Sequence, residues 1–234
     1  MLYSEMDEAI KLVIKMGKEI NLLANYPKSK RNLVERVKEK TEEVRTIARR
    51  FGKEFFDGDR NQGYGGFTYS PKFWQPVIPD FTKYWGLNSK SSILDVGCAK
   101  GFMLYDLSQL IPGIKIRGID VSEYAINNSM PEVGKFIQVA NAKKIPFPDN
   151  SFDAVISINT IHNLERADCG QALREISRVS KKYSFITVDA YRNDEEKKNM
   201  YAWNLTAKTI MSVDDWKLFF KEVGYVGDYY WFIP

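Results

Sequence analysis

The sequence contains one histidine, two cysteines and no long uninterrupted apolar run. Cys98 and Cys169 alone do not make a disulfide framework, and so little cysteine fits a reducing, cytoplasmic setting. A single histidine leaves a Cys/His zinc centre short of ligands, and no metal is expected. The apolar runs are short and broken by charge, which argues against a transmembrane helix and a membrane partner. The opening MLYSEMDEAI carries acids where a secretory signal would carry bases, so no signal peptide is expected. Charge of one sign is also scarce in excess: 34 basic against 30 acidic residues give +4. That balance lacks the basic stripe of a nucleic-acid binder, and the short run KSKR, Lys28 to Arg31, reads as solvated surface.

What the chain does have is length, aromatics and alternation. Its 234 residues suffice for one α/β domain with an elaboration. Residues 1–56 have apolar positions at helical spacing (Ile10, Val13, Ile14, Ile20, Leu23, Ala24, then Leu33, Val37, Val44, Ile47, Phe51), with Pro27 between two runs. They predict an N-terminal helical cap. Residues 57–90 include DGDRNQGYGGFTYSPKFWQPVIPDF, with four glycines, three prolines and six aromatics. Glycine and proline punctuate, but a disordered linker is seldom so aromatic, so an ordered lid loop with packed rings is expected.

From 91 to 234 strand and helix signals alternate. SSILDVG, KIRGID, KFIQVA, SFDAVISIN and SFITVDAY read as strands; FMLYDLSQLI, SEYAINNSM and DCGQALREISRVS read as the helices between them, with Ser122 as an N-cap. NDEEKKNMYAW and VDDWKLFFKEVG predict two further helices, the second burying Trp216, Phe219 and Phe220, before a final aromatic strand in YVGDYYWFIP. This pattern predicts an α/β fold of parallel βαβ units with helices on both faces.

The stretch LDVGCAKG, residues 94–101, follows the first strand. Small residues there let backbone N–H groups approach a ligand and let the chain turn into a helix. The second strand ends in Asp120, 19 residues beyond Gly101, where a carboxylate can accept from both hydroxyls of a ribose. A nicotinamide dinucleotide site would want a third glycine where Phe102 or Leu104 stands, which disfavours an oxidoreductase.

Asp95-x-Gly97-x-Ala99-x-Gly101, RGIDVSEYAINNS, ANAKKIPFPDNSFDAVISINTIHNL and ALREISRVSKKYSFITVD, in this order, resemble the motifs of class I S-adenosylmethionine-dependent methyltransferases. The resemblance covers about residues 90–190 and implies a Rossmann-like, doubly wound, mostly parallel sheet of order 3-2-1-4-5 plus one or more C-terminal strands, with S-adenosyl-L-methionine as cofactor and S-adenosyl-L-homocysteine as product. It implies a cofactor site of Asp95, Gly97, Cys98, Ala99, Lys100, Gly101, Asp120, Val121, Asn141, Ala142 and Asn159, with Asp120 on the ribose, Asn141 towards the adenine amino group and Asn159 beside the methionine part. Two departures stand out: Ala99 replaces a usual glycine and Asn141 a usual aspartate. Lys100 either meets the methionine carboxylate or points to water. The family usually closes with a two-strand hairpin, for which only YVGDYYWFIP and LTAKTIMS are available.

His162, Tyr64 and Asp189 are the candidate catalytic residues, His162 because its ordinary pKa suits a general base. Tyr64, Tyr69, His162 and Asn163 are candidates for lining the acceptor pocket, with GYGGF as a lid over the cofactor. Asp57 and Asp59 are polar candidates in the same loop. The sequence thus points to a methyltransferase, monomeric or homodimeric, acting on a small polar metabolite, most readily at oxygen. The alternatives are an RNA or protein methyltransferase and a non-catalytic nucleoside-binding protein.

Overall fold

A computed structural model describes residues 17–27 and 40–234. Its centre is a sheet of seven strands, β1 (Ser92–Val96), β2 (Lys115–Asp120), β3 (Ile137–Val139), β4 (Phe152–Ile158), β5 (Ser180–Tyr191), β6 (Met211–Ser212) and β7 (Asp228–Phe232). The order runs β3-β2-β1-β4-β5-β6, with β7 also pairing β5. Every strand pairing among the described residues is parallel. β7 lies along Phe185–Asp189, while β6 pairs only with Ala190 and Tyr191 beyond it. LTAKTIMS therefore yields two strand residues, and the last strand runs parallel to β5 rather than closing a hairpin.

Alternate side chains on each strand point to opposite faces. Leu94, Val155 and Ile186 join a core with α7 (Arg166–Val179) and α9 (Val213–Val223). Ile93, Ala154 and Phe185 join a second core with α4 (Ile78–Trp85) and α5 (Phe102–Leu110). Strands β1 and β4 read as continuous apolar runs because helices cover both of their faces. Trp216 is fully buried, and its indole N–H donates to the Asp189 carbonyl at 2.9 Å. Ser122 caps α6 (Glu123–Asn127), accepting from the Ala125 N–H at 3.0 Å, as its sequence position predicts.

Two expectations fail outside the sheet. Residues 17–27 form turns and a bridge, not a helix: the Ile20 N–H donates to the Tyr229 carbonyl, and the Tyr229 N–H to the Lys18 carbonyl. Edge pairing with β7 satisfies this backbone, so the apolar spacing does not decide it. Residues 1–16 and 28–39, with Ile10, Val13, Ile14, Leu33, Val37 and the KSKR run, lie outside the described residues. The cap's described helices are α1 (Glu42–Ala48) and α2 (Lys53–Asp57). Second, the presumed loop contains α3 (Pro71–Trp74) and α4. Pro71 and Pro79 sit in the first turns of these helices, where a missing N–H costs nothing, so they start helices rather than break them. Between Asp194 and Trp203, α8 follows β5, capped by Asn193.

Replacing Trp216 by alanine is expected to cost about 3–5 kcal/mol in urea unfolding. Leu218, two residues on and 66% exposed, is expected to change stability by less than about 0.5 kcal/mol on the same substitution. Equal losses at both positions would contradict the assignment of the buried face of α9.

Candidate cofactor and acceptor site

Strand order reverses beside β1, between β2 and β4, and in a parallel sheet this is where a crevice opens at the carboxyl ends. The β1 strand leaves through Gly97 (φ 89°), Ala99 (φ 49°) and Gly101 (φ 80°), all left-handed. A Cβ on Gly97 would stand 2.1 Å from Thr160 Oγ1, so the loops after β1 and β4 touch only because this residue is glycine. Ala99 accepts a conformation that is unfavourable for an L-residue. Its N–H is held by Asp120 Oδ2 at 2.8 Å, while the Ser122 N–H donates to Asp120 Oδ1 at 2.8 Å. Asp120 thereby ties the loops after β1 and β2 together. Each oxygen of an ionised carboxylate keeps further lone-pair capacity, which is what a ribose diol needs.

Beside Asp120, the apolar side chain of Val121 is 54% exposed, unusual for a residue in the middle of a fold and suited to the flat face of a base. Asn141 follows β3; its Oδ1 accepts from the Lys143 N–H at 2.9 Å, which shapes the turn, and Ala142 packs against the core behind it. Asn159 ends β4 at φ 49°, with its Oδ1 accepting from the Thr187 hydroxyl at 2.8 Å. Asp95 is buried below the loop; burial, then the charge of Asp120, pushes its carboxyl up to about 8. Burial also raises the Cys98 thiol well above its usual value, and its sulfur packs over Gly118, so only the backbone of Cys98 faces the loop's outer side.

Several predicted site residues have other duties. Lys100 neither points to water nor stands free for a methionine carboxylate. It is 7% exposed, and its Nζ donates to Asp57 Oδ2 at 2.6 Å and to the Phe67 carbonyl at 2.9 Å. Tyr69 donates its hydroxyl to Asp106 Oδ1 at 2.6 Å, pinning the loop to α5; burial, then Asp106, pushes its pKa up to about 12. Tyr64 is 41% exposed and sits in a ring cluster with Phe55, Phe56 and Phe67.

His162 is 4% exposed, and its Nδ1 accepts from the Asp189 N–H at 2.8 Å. Burial lowers its pKa, partly opposed by the Asp189 carboxylate, so the ring is a neutral joint between the β4 loop and β5. Asp189 is itself 7% exposed. Neither residue has the exposure of a base that meets an acceptor. Asn163 stays near the crevice: its Nδ2 reaches the Asn159 carbonyl at 3.4 Å, and its Oδ1 is buried without a hydrogen-bond partner. Thr160, Thr187 and Tyr124 shape the site without any mark in the sequence, since each acts through a partner distant along the chain.

A doubly wound parallel sheet with a bare left-handed loop after its first strand and a carboxylate at the end of its second has the Rossmann-like arrangement of the methyltransferase fold. Residues 94–188 match the family model described as a methyltransferase domain, so this stretch is similar to methyltransferase domains. The chain is 33% identical over 121 residues to a demethylmenaquinone methyltransferase of Symbiobacterium thermophilum, covering 46% of this chain and 45% of that one. It is 30% identical over 116 residues to a malonyl-[acyl-carrier protein] O-methyltransferase of Legionella pneumophila, covering 48% and 40%. The chain thus spans less than half the length of these curated relatives. The fold is shared with phosphoethanolamine N-methyltransferase 2 of Haemonchus contortus, solved with phosphomonomethylethanolamine and S-adenosylhomocysteine (TM-score 0.55, 17% identity, 76% of this chain and 44% of that one).

The raised Asp95 carboxyl makes a pH prediction. Its folded pKa lies above the usual 3.8, so the folded chain holds a proton that the unfolded chain releases. Its contribution is complete below pH about 4 and is lost as pH rises through about 8. Thermal melts from pH 5 to 9 should fall more steeply for the wild type than for Asp95→Asn; parallel curves would refute the assignment.

Proposed function

We propose that the chain is an enzyme that transfers the methyl group of S-adenosylmethionine to a small polar metabolite, at oxygen. The observation that carries this reading is the meeting of the Gly97–Gly101 loop, the Asp120 carboxylate and the exposed Val121 side chain at one sheet edge. In the bound state the sulfonium supplies an electrophilic methyl with an excellent leaving group. The chain's own contribution is then to orient the acceptor in line and keep water out. Asp120 would hold the ribose, the Asn141–Ala142 turn would border the base, and Asn159 and Asn163 would face the methionine part and the acceptor.

The burial of His162 and Asp189 refines the proposal. Among the described residues named as bases, neither is open to the crevice, so the acceptor oxygen would arrive already ionised, as a carboxylate or an acidic enol or phenol does. Tyr64, partly exposed in the lid, is the aromatic we place against the acceptor. The near-even charge of the whole chain supports a small acceptor over RNA. No helix among the described residues is long and apolar enough to cross a membrane.

Isothermal titration with S-adenosylhomocysteine is expected to show one site, weakened about 10- to 100-fold by Asp120→Ala, the range for charge-assisted hydrogen bonds. Methyl label from S-adenosylmethionine should then enter the small-molecule fraction of a cell extract and spare the RNA and protein fractions. Label in either macromolecule instead would overturn the choice of acceptor, and no binding of S-adenosylhomocysteine would overturn the whole reading.

A further inference from the structure

Lysine in a loop normally keeps its ammonium in water. Lys100 is buried in the loop that leaves β1, between the left-handed residues Ala99 and Gly101. Its partner comes from 43 residues upstream: Asp57, at the end of α2. Both oxygens of the Asp57 carboxylate accept hydrogen bonds. Oδ2 accepts from Lys100 Nζ at 2.6 Å and from the Tyr124 hydroxyl at 2.8 Å, and Oδ1 accepts from the Phe67 N–H at 2.9 Å. Burial pushes this carboxyl up, but the hydrogen bonds from Lys100, Phe67 and Tyr124 outweigh it and hold it below its usual value. Lys100 also donates to the Phe67 carbonyl, so residue 67 is gripped at both its N–H and its C=O.

A second tie lies alongside. The Ser122 hydroxyl donates to the Phe51 carbonyl at 2.5 Å, and the Ser122 N–H holds Asp120. The Phe67 ring stacks on Phe102, the first residue of α5, at 4.8 Å between centroids. The strap formed by residues 51–69 is therefore bonded to both loops that Asp120 joins.

Building on the cofactor reading above, we infer that Asp57 is a positioning residue for the cofactor: through Lys100 it latches the 51–69 strap onto the β1 loop and holds that loop in its binding shape. A buried ammonium stripped of its carboxylate cannot stay where it is. Losing Asp57 would let Lys100 swing out, and the left-handed turn around Ala99 would lose one of its external supports, keeping the Asp120 bond to the Ala99 N–H. The coupling is reciprocal, so a ligand that orders the β1 loop also closes the strap. The strap then belongs to the cofactor's seat as well as to the surface of the molecule.

The test uses the full chain and S-adenosylhomocysteine as probe. Asp57→Asn and Lys100→Met are each expected to weaken binding about 10-fold or more, with the double variant little worse than either single one. Backbone hydrogen exchange at residues 58–67 should slow when S-adenosylhomocysteine is added to the wild type, and respond far less in Asp57→Asn. A purely structural contact would lower the melting temperature without moving that ligand-dependent protection. If either substitution prevents folding, Tyr124→Phe removes one hydrogen bond to the same carboxylate and is expected to weaken binding about 2- to 5-fold. The inference is overturned if folded variants bind as tightly as the wild type, or if exchange in the strap ignores the ligand in the wild type. Failure of the wild type itself to bind S-adenosylhomocysteine would instead strike the cofactor reading on which the latch rests.

Discussion

One carboxylate sets the geometry of this molecule's working edge. Asp120 stands at the end of β2 and accepts from the N–H of Ala99 on one side and of Ser122 on the other. The first bond holds a non-glycine residue in a left-handed turn, and the second begins the capped turn of α6. Two loops that would otherwise move independently become one surface. Burial raises the Asp120 carboxyl while the Ser122, Ala99 and Val121 amides lower it, with burial prevailing. A ligand offering hydroxyls to this group would offset part of that cost, because hydrogen bonds to the ionised carboxylate favour its charged form.

Behind that edge, the sheet provides rigidity through two cores of different make-up. On one face, Trp216, Phe220, Tyr229 and Trp231 form a continuous aromatic block under β5 and β7. The other face is packed by α4 and α5, with Phe81 edge-on to Phe185. His162, Asp189 and Trp216 join the β4 loop to the first of these cores: the Asp189 N–H donates to the imidazole and its carbonyl accepts from the indole. This joint explains why the lone histidine is buried.

Much of the fold was legible in the sequence, because strands covered on both faces and helices with one apolar stripe leave periodic traces. Ile93–Val96, Ala154–Ile158 and the α9 face are of this kind. The small residues of the Asp95–Gly101 stretch were legible for another reason: a left-handed turn with close backbone approach admits few residue types. The helices α3 and α4 were hidden by prolines that read as breaks and turned out to be first-turn residues. The turn at residues 17–27 was hidden because its apolar spacing suited a helix, while its backbone hydrogen bonds go to β7.

Local chemistry therefore determined the alternation of strands and helices, the apolar stripes of the helices and the small residues of the β1 loop, since each depends on neighbours a few positions away. The tertiary structure alone decided what Lys100, Tyr69 and His162 do. Their partners, Asp57, Asp106 and Asp189, lie 43, 37 and 27 residues away. A polar side chain's duty is set by the group that satisfies it when water is removed, and no spacing along the chain encodes which group that will be.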